Sequence, residues 1–220
     1  LTTLDIGANE IGVEGAKLFG DLLKDKIILK NLGFSRNEIG VKGAKSLSNA
    51  LKYNSILKNL GLSMNEIKDK GAKSLADILK HNISLTTLNL SDNQIFNEGA
   101  KSLSDALKDN STLTTLYLRD NQIGDEGAKS LADALKDNIT LTTLNLSDNQ
   151  IGAEGKNMLL KSQTYRLFVR KQTQQNIILI LCQYFLREEK DDCLLYRLPL
   201  EIIHMIIRHV GIIPSLHIEW

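Results

Sequence analysis

"LTTLNLSDNQI" occupies residues 85–95 and returns unchanged at residues 141–151. Between the two, residues 113–123 read "LTTLYLRDNQI", with Tyr117 and Arg119 in place of asparagine and serine. Working outward, Leu1, Leu29, Leu57, Leu85, Leu113 and Leu141 each open the same phrase, at a constant spacing of 28 residues. Self-similarity at a fixed period of this size is the mark of a stacked repeat architecture.

Each unit opens with the apolar pattern L-x-x-L-x-L, as in Leu85, Leu88 and Leu90. The last two alternate with polar residues, which predicts a short half-buried strand. An asparagine closes every strand: Asn9, Asn37, Asn65, Asn93, Asn121 and Asn149. Its amide both donates and accepts, so it can pair the backbone groups freed where the chain turns. The isoleucine two residues later, as in Ile95, is expected to point into the core.

The second half of the unit reads "DEGAKSLADALKDN" at residues 125–138. Ala128, Leu131, Ala134 and Leu135 fall at helical spacing, and acids at the start with lysine near the end suit the helix dipole. Units two and three place Lys42 and Lys70 near the start instead. Asn54, Asn82, Asn110 and Asn138 are read as C-caps. Gly15, Gly43, Gly71, Gly99, Gly127 and Gly155 recur where glycine weakens a helix, which predicts close backbone packing or a special turn. Strand, turn and helix repeat, and such units bury their apolar sides only by stacking.

The stretch "LTTLYLRDNQIGDEGAKSLADALKDN" (113–138) resembles the leucine-rich repeat of the ribonuclease-inhibitor type, also found in NOD-like receptors. The resemblance covers residues 1–160 and implies an α/β horseshoe, with a parallel sheet inside and helices outside. It further implies a scaffold that binds a protein through its concave sheet, without catalysis, cofactor or small-molecule substrate.

Within each strand the residues between the leucines face away from the core. Most are small or polar, as at Asn89, whereas unit five presents Thr115, Tyr117 and Arg119. Tyrosine and arginine are enriched at binding hot spots because they join contact area to directional polar groups. These three and Asn89 are candidate partner contacts. Arg36, Met64 and Asp120 follow their strands and join the list.

The repeat decays in its sixth copy, where Ser162 and Gln163 stand at core positions. Residues 161–220 are expected to form a helical cap, with apolar helices at 176–186 and 198–210. "LPLEIIHMII" resembles the opening of an F-box, carried by Leu198, Pro199, Glu201 and Ile202. "LILCQYFLRE" with "YRLPLEII" also resembles a SOCS box, through Leu181, Cys182, Leu198, Pro199 and Leu200, although Glu201 stands where that pattern has proline. Either resemblance implies an adaptor that recruits Skp or elongin to a ubiquitin ligase. A purely structural array, or part of a larger NOD-like receptor, is the remaining alternative. The chain opens at Leu1 inside a strand, which suggests either a fragment or an exposed first edge.

The formal net charge of +1 speaks against a dedicated nucleic-acid binder. Lys156, Lys161, Arg166, Arg170 and Lys171 form a basic stretch that reads as a solvated helix face rather than a nucleic-acid or membrane site. Two cysteines without a CxxC pair fit an intracellular, cytoplasmic setting. His204 and His209 are poorly spaced for metal, and no GxSxG, Walker or HExxH motif appears. Asp92, Asp120 and Asp148 form a line along the rim that reads as solvated.

Overall fold

The alternation read in each leucine phrase gives a three-residue strand in every unit. A computed structural model describes residues 1–24, 28–163 and 217–219. The strands are β1 (Thr3–Asp5), β2 (Asn31–Gly33), β3 (Asn59–Gly61), β4 (Thr87–Asn89), β5 (Thr115–Tyr117) and β6 (Thr143–Asn145). They pair in parallel and in sequence order, and each residue sits beside its equivalent 28 positions on, as in Leu88 beside Leu116. Between them run α1 (Gly12–Lys24), α2 (Gly40–Leu51), α3 (Lys68–Leu79), α4 (Asn97–Asp109) and α5 (Asp125–Asp137). Residues 153–163 are helical as well.

The central leucine of each strand points between sheet and helices. Leu88, Leu116 and Leu144 are fully buried, as are the helix residues Leu103, Leu131 and Ala134. Ile39, Ile67, Ile95 and Ile123 close the core behind the turn, as the sequence reading expects. Among the described residues aromatic ring packing is confined to the first two units, where Phe19 meets Phe34 edge-on with ring centroids 5.0 Å apart.

The ladder asparagines act across units. Asn93 Oδ1 accepts the backbone N–H groups of Asn65 (3.0 Å) and Ile67 (3.3 Å), and its Nδ2 donates to Leu62 O and Ser91 O, both at 2.9 Å. One amide therefore closes its own turn and fastens the unit before it. Asn37, Asn65 and Asn121 repeat the arrangement, and all lie buried.

The recurring helix-start glycines are explained by close packing. A Cβ at Gly127 would lie 2.7 Å from Ile123 Cγ2, 2.8 Å from Asn97 Oδ1 and 3.1 Å from Ala100 Cβ. Backbone conformation is a separate matter and falls on the residue before each ladder asparagine. Arg36, Met64, Asp92, Asp120 and Asp148 all have φ between 54° and 57°, where a side chain is strained.

The C-cap reading of the second asparagine row holds for α4 and α5 and fails for α2 and α3. Asn110 and Asn138 do stand at the C-cap positions of α4 and α5, but with extended backbone (φ −80° and −73°) rather than the left-handed form. In α2 and α3 the cap positions belong to Lys52 and Lys80. The asparagines work on the neighbouring unit instead. Asn138 Nδ2 donates to Leu107 O at 2.7 Å, and Oδ1 accepts from the N–H groups of Thr140 and Leu141. The side chain thus ties the end of the preceding helix to the start of the next strand.

The sixth unit is more complete than its sequence suggests. Leu159 is buried, and Ser162 fills its core position with Oγ donating to Leu159 O at 2.8 Å. A serine bonded back to its own helix hides its hydroxyl from an apolar neighbourhood. Beyond β6, the sheet gains β7 (His217–Glu219), parallel and in register with Thr143–Asn145. Among the described residues the sheet is continued at that side by a strand. An edge strand leaves a row of backbone groups unpaired, and a further strand satisfies them. The helices expected at 176–186 and 198–210 lie outside the described residues.

Candidate functional site

The face of the sheet turned away from the helices is built by the outward residues of each strand. Parallel in-register pairing puts equivalent positions in rows that run across the strands, about 4.8 Å apart. One row is Thr3, Asn31, Asn59, Thr87, Thr115 and Thr143. The next is Asp5, Gly33, Gly61, Asn89, Tyr117 and Asn145.

Side chains within these rows bond to each other. Asn31 Nδ2 donates to Thr3 Oγ1 at 2.8 Å, and Asn59 Nδ2 donates to Asn31 Oδ1. Farther along the strands, Ser63 Oγ donates to Ser35 Oγ at 2.8 Å. Between the asparagine pair and the serine pair the floor is Gly33 and Gly61, which carry no side chain. A hollow of about 280 Å³ opens there, with Asp5 at one end and Asn89 and Tyr117 at the other. Gly33 keeps it open toward β1, since a Cβ there would come within 2.6 Å of Asp5 Oδ1.

Of the residues singled out from sequence, Asn89, Thr115 and Tyr117 share this face and are half-buried. Asn89 Oδ1 is engaged by the Ser91 N–H at 2.9 Å. Arg119 lies past the end of β5, where its Nε donates to Asp148 Oδ2 at 2.8 Å. Both members of that pair keep more than half of their side-chain surface exposed (59% and 56%), so water screens the attraction. Arg36, Met64 and Asp120 sit on the rim, exposed, each at the left-handed turn position. The rim therefore holds them apart from the hollow. Leu198, Pro199, Glu201 and Ile202 lie outside the described residues, with Leu181, Cys182 and Leu200.

Sequence reasoning passed over Asp5, Gly33 and Gly61, which form one end and the floor of the hollow. Their signal is present: unit one carries an acid, and units two and three a glycine, at the position where unit five has tyrosine. It gains meaning only once register places the four in one row.

Among the described residues no group of histidine, cysteine, aspartate or glutamate is arranged to hold a metal ion. None of their helices is long and apolar enough to cross a membrane. The carboxyl of Asp21 is held below its usual range by the hydrogen bond and charge of Lys24, on the exposed helix side and away from this face.

A leucine-rich-repeat family model matches residues 1–20, 53–76, 81–104, 109–132 and 137–155. No curated protein matches the sequence. Among solved structures, leiomodin-1 actin-binding site 2 is similar, with 26% identity, a TM-score of 0.50, and coverage of 60% of this chain and 77% of that one. The tropomodulin C-terminal domain of Caenorhabditis elegans aligns over 73% of this chain and 98% of its own, with 15% identity and a TM-score of 0.57. The second likeness is one of fold alone.

Proposed function

Because the chain belongs to the leucine-rich-repeat family, whose stacked units expose an extended concave surface for binding, we propose that its sheet face is a docking surface for a protein partner. The role is that of a non-enzymatic scaffold. The observation that carries this reading is the hollow between Asp5 and Tyr117. It offers an aromatic contact, a carboxylate and an open glycine floor on one otherwise regular face. A protruding side chain of the partner fits such a recess, and a half-buried tyrosine is pre-ordered to pack on it.

The similarity to a leiomodin segment described as an actin-binding site makes actin the first partner to test. Cosedimentation with filaments and titration of labelled monomer cover both forms of actin. Binding that weakens at least tenfold in Tyr117→Ala, with an unchanged melting temperature, supports docking through this face. Binding that survives Tyr117→Ala and Gly33→Gln moves the contact elsewhere on the solenoid. No binding to either form removes actin and leaves the surface to be tested by crosslinking from a photoreactive residue at position 117.

A further inference from the structure

The second asparagine row has a sequence context that its structural role does not require. Asn82-Ile83-Ser84, Asn110-Ser111-Thr112 and Asn138-Ile139-Thr140 each fit Asn-x-Ser/Thr, the acceptor pattern for N-linked oligosaccharide. Asn54, in the same row, is followed by Ser55 and Ile56 and does not fit. Two more acceptors, Asn89-Leu90-Ser91 and Asn145-Leu146-Ser147, belong to the concave face.

Oligosaccharide is attached through asparagine Nδ2, and in this row that atom is fully engaged. Asn82 Nδ2 donates to Leu51 O (3.0 Å) and Asn54 O (3.3 Å). Asn110 Nδ2 donates to Leu79 O (2.6 Å) and, at 3.4 Å each, to Asn82 O and Thr112 Oγ1. Asn138 Nδ2 donates to Leu107 O (2.7 Å) and Asn110 O (3.0 Å). Every amide is held by carbonyls of the preceding unit, and the three residues are 8%, 5% and 4% exposed. A sugar replacing either hydrogen would stand where the neighbouring unit packs.

We propose that Asn82, Asn110 and Asn138 are latent N-glycosylation acceptors whose modification is incompatible with the solenoid, so that the fold is reached only where no oligosaccharyl transfer meets the chain. The transfer acts on the extended chain before the row is buried. Asparagine Nδ2 attacks the anomeric carbon of a lipid-linked oligosaccharide. A C–N bond forms, the C–O bond to the polyprenyl pyrophosphate breaks, and one amide proton is released. The modified amide then lacks one donor and carries a hydrophilic chain that the packed units exclude. Buried polar groups left without partners oppose folding further.

The test directs the intact chain, behind a cleavable secretion signal, into the secretory pathway of cultured eukaryotic cells. Ser91→Ala and Ser147→Ala remove the two concave-face acceptors and leave only the row. The expected result is a mass gain at the row, removed by endoglycosidase, together with loss of soluble monomer. Blocking synthesis of the lipid-linked oligosaccharide restores soluble chain, with the melting temperature of the same variant made in the cytosol. Adding Ser84→Ala, Thr112→Val and Thr140→Val restores it without the inhibitor. The asparagines then remain, and Ile56 shows that this position tolerates an apolar residue. Soluble protein that melts normally while carrying sugar on any of the three overturns the proposal. So does chain that folds unmodified in untreated cells, or chain that stays insoluble when no sugar is attached.

Discussion

Units one to three and units four to six share the strand phrase and the ladder asparagine, then enter their helices differently. In the first group the residue three before Gly15 and its equivalents turns left-handed, at Gly12, Gly40 and Lys68; the residue two earlier is left-handed in these units, at Glu10, Glu38 and Glu66, and in unit four, at Gln94. The N–H of Gly12, Gly40 and Lys68 bonds the backbone carbonyl of the next ladder asparagine, as in Lys68 N–H to Asn93 O at 2.9 Å. In the second group Phe96 and Gly124 are extended, with φ near −100°. Their N–H groups are taken by a side chain of the preceding unit: Asp69 for Phe96 and Asn97 for Gly124, each at 2.8 Å.

That side chain acts as an N-cap supplied by the neighbour. Asp69 Oδ1 also accepts the Gly99 N–H (2.8 Å), Asn97 Oδ1 that of Gly127 (3.1 Å), and Asp125 Oδ1 those of Gly152 (2.7 Å) and Gly155 (3.1 Å). An N-cap oxygen ordinarily belongs to the residue before the helix. Here the residues at that place, Phe96 and Gly124, have no oxygen in their side chains. Units one and two carry Val13 and Val41 where the later units have Asp69, Asn97 and Asp125. One position per unit thus separates the two turn forms, and the consequence is felt one unit downstream.

Substitutions separate the devices common to all units from those particular to one group. The largest loss is expected where both groups rely on the same device. Asn93→Ala strips partners from two buried backbone N–H groups and should cost about 3 kcal/mol in a urea melt. A loss under about 1 kcal/mol would show that water can replace the ladder amide. Gly127→Ala comes next, at about 2 kcal/mol, because its Cβ meets Ile123, the Asn97 cap and Ala100 together. Gly15→Ala should cost less, since Ile11 is its sole close neighbour and is only half-buried.

Asn97→Ala removes only the cap and should lower stability by about 1 kcal/mol. Amide exchange at Gly124 and Gly127 should quicken in that variant, while exchange at Gly43 and Gly71 stays unchanged. Lys68→Gly acts in the opposite direction. It relieves a left-handed lysine at φ 57° and is expected to gain about 0.5–1 kcal/mol. The smallest effect belongs to Arg119→Ala, below about 0.5 kcal/mol in thermal melts, because its ion pair with Asp148 is exposed. A larger loss there would make Arg119 a structural strut rather than a residue free to meet a partner.

How much of this was legible before the structure differs from residue to residue. The strand phrase, the ladder and the apolar helix face were readable because period two, period 3.6 and period 28 each bring like residues onto one surface. That Asn93 pairs backbone groups at its turn could be read from the chemistry of its amide; that it also fastens the unit before it could not. The neighbour-supplied cap could not, because Asp69 and Phe96 are 27 residues apart. The same distance hid the hollow. Asp5, Gly33, Gly61 and Tyr117 are unremarkable until the five strands β1 to β5 are laid side by side.

The sequence alone established the 28-residue repeat, the strand and helix of each unit and the residues of the core. These follow from local periodicity, which each unit carries within its own 28 residues. Only the tertiary structure decided which units are capped by their neighbours, that both asparagine rows fasten one unit to another, and that a strand continues the sheet beyond β6. It also decided which outward side chains gather at one recess. Those outcomes depend on contacts between units, and a one-dimensional reading compares the units without placing them against each other.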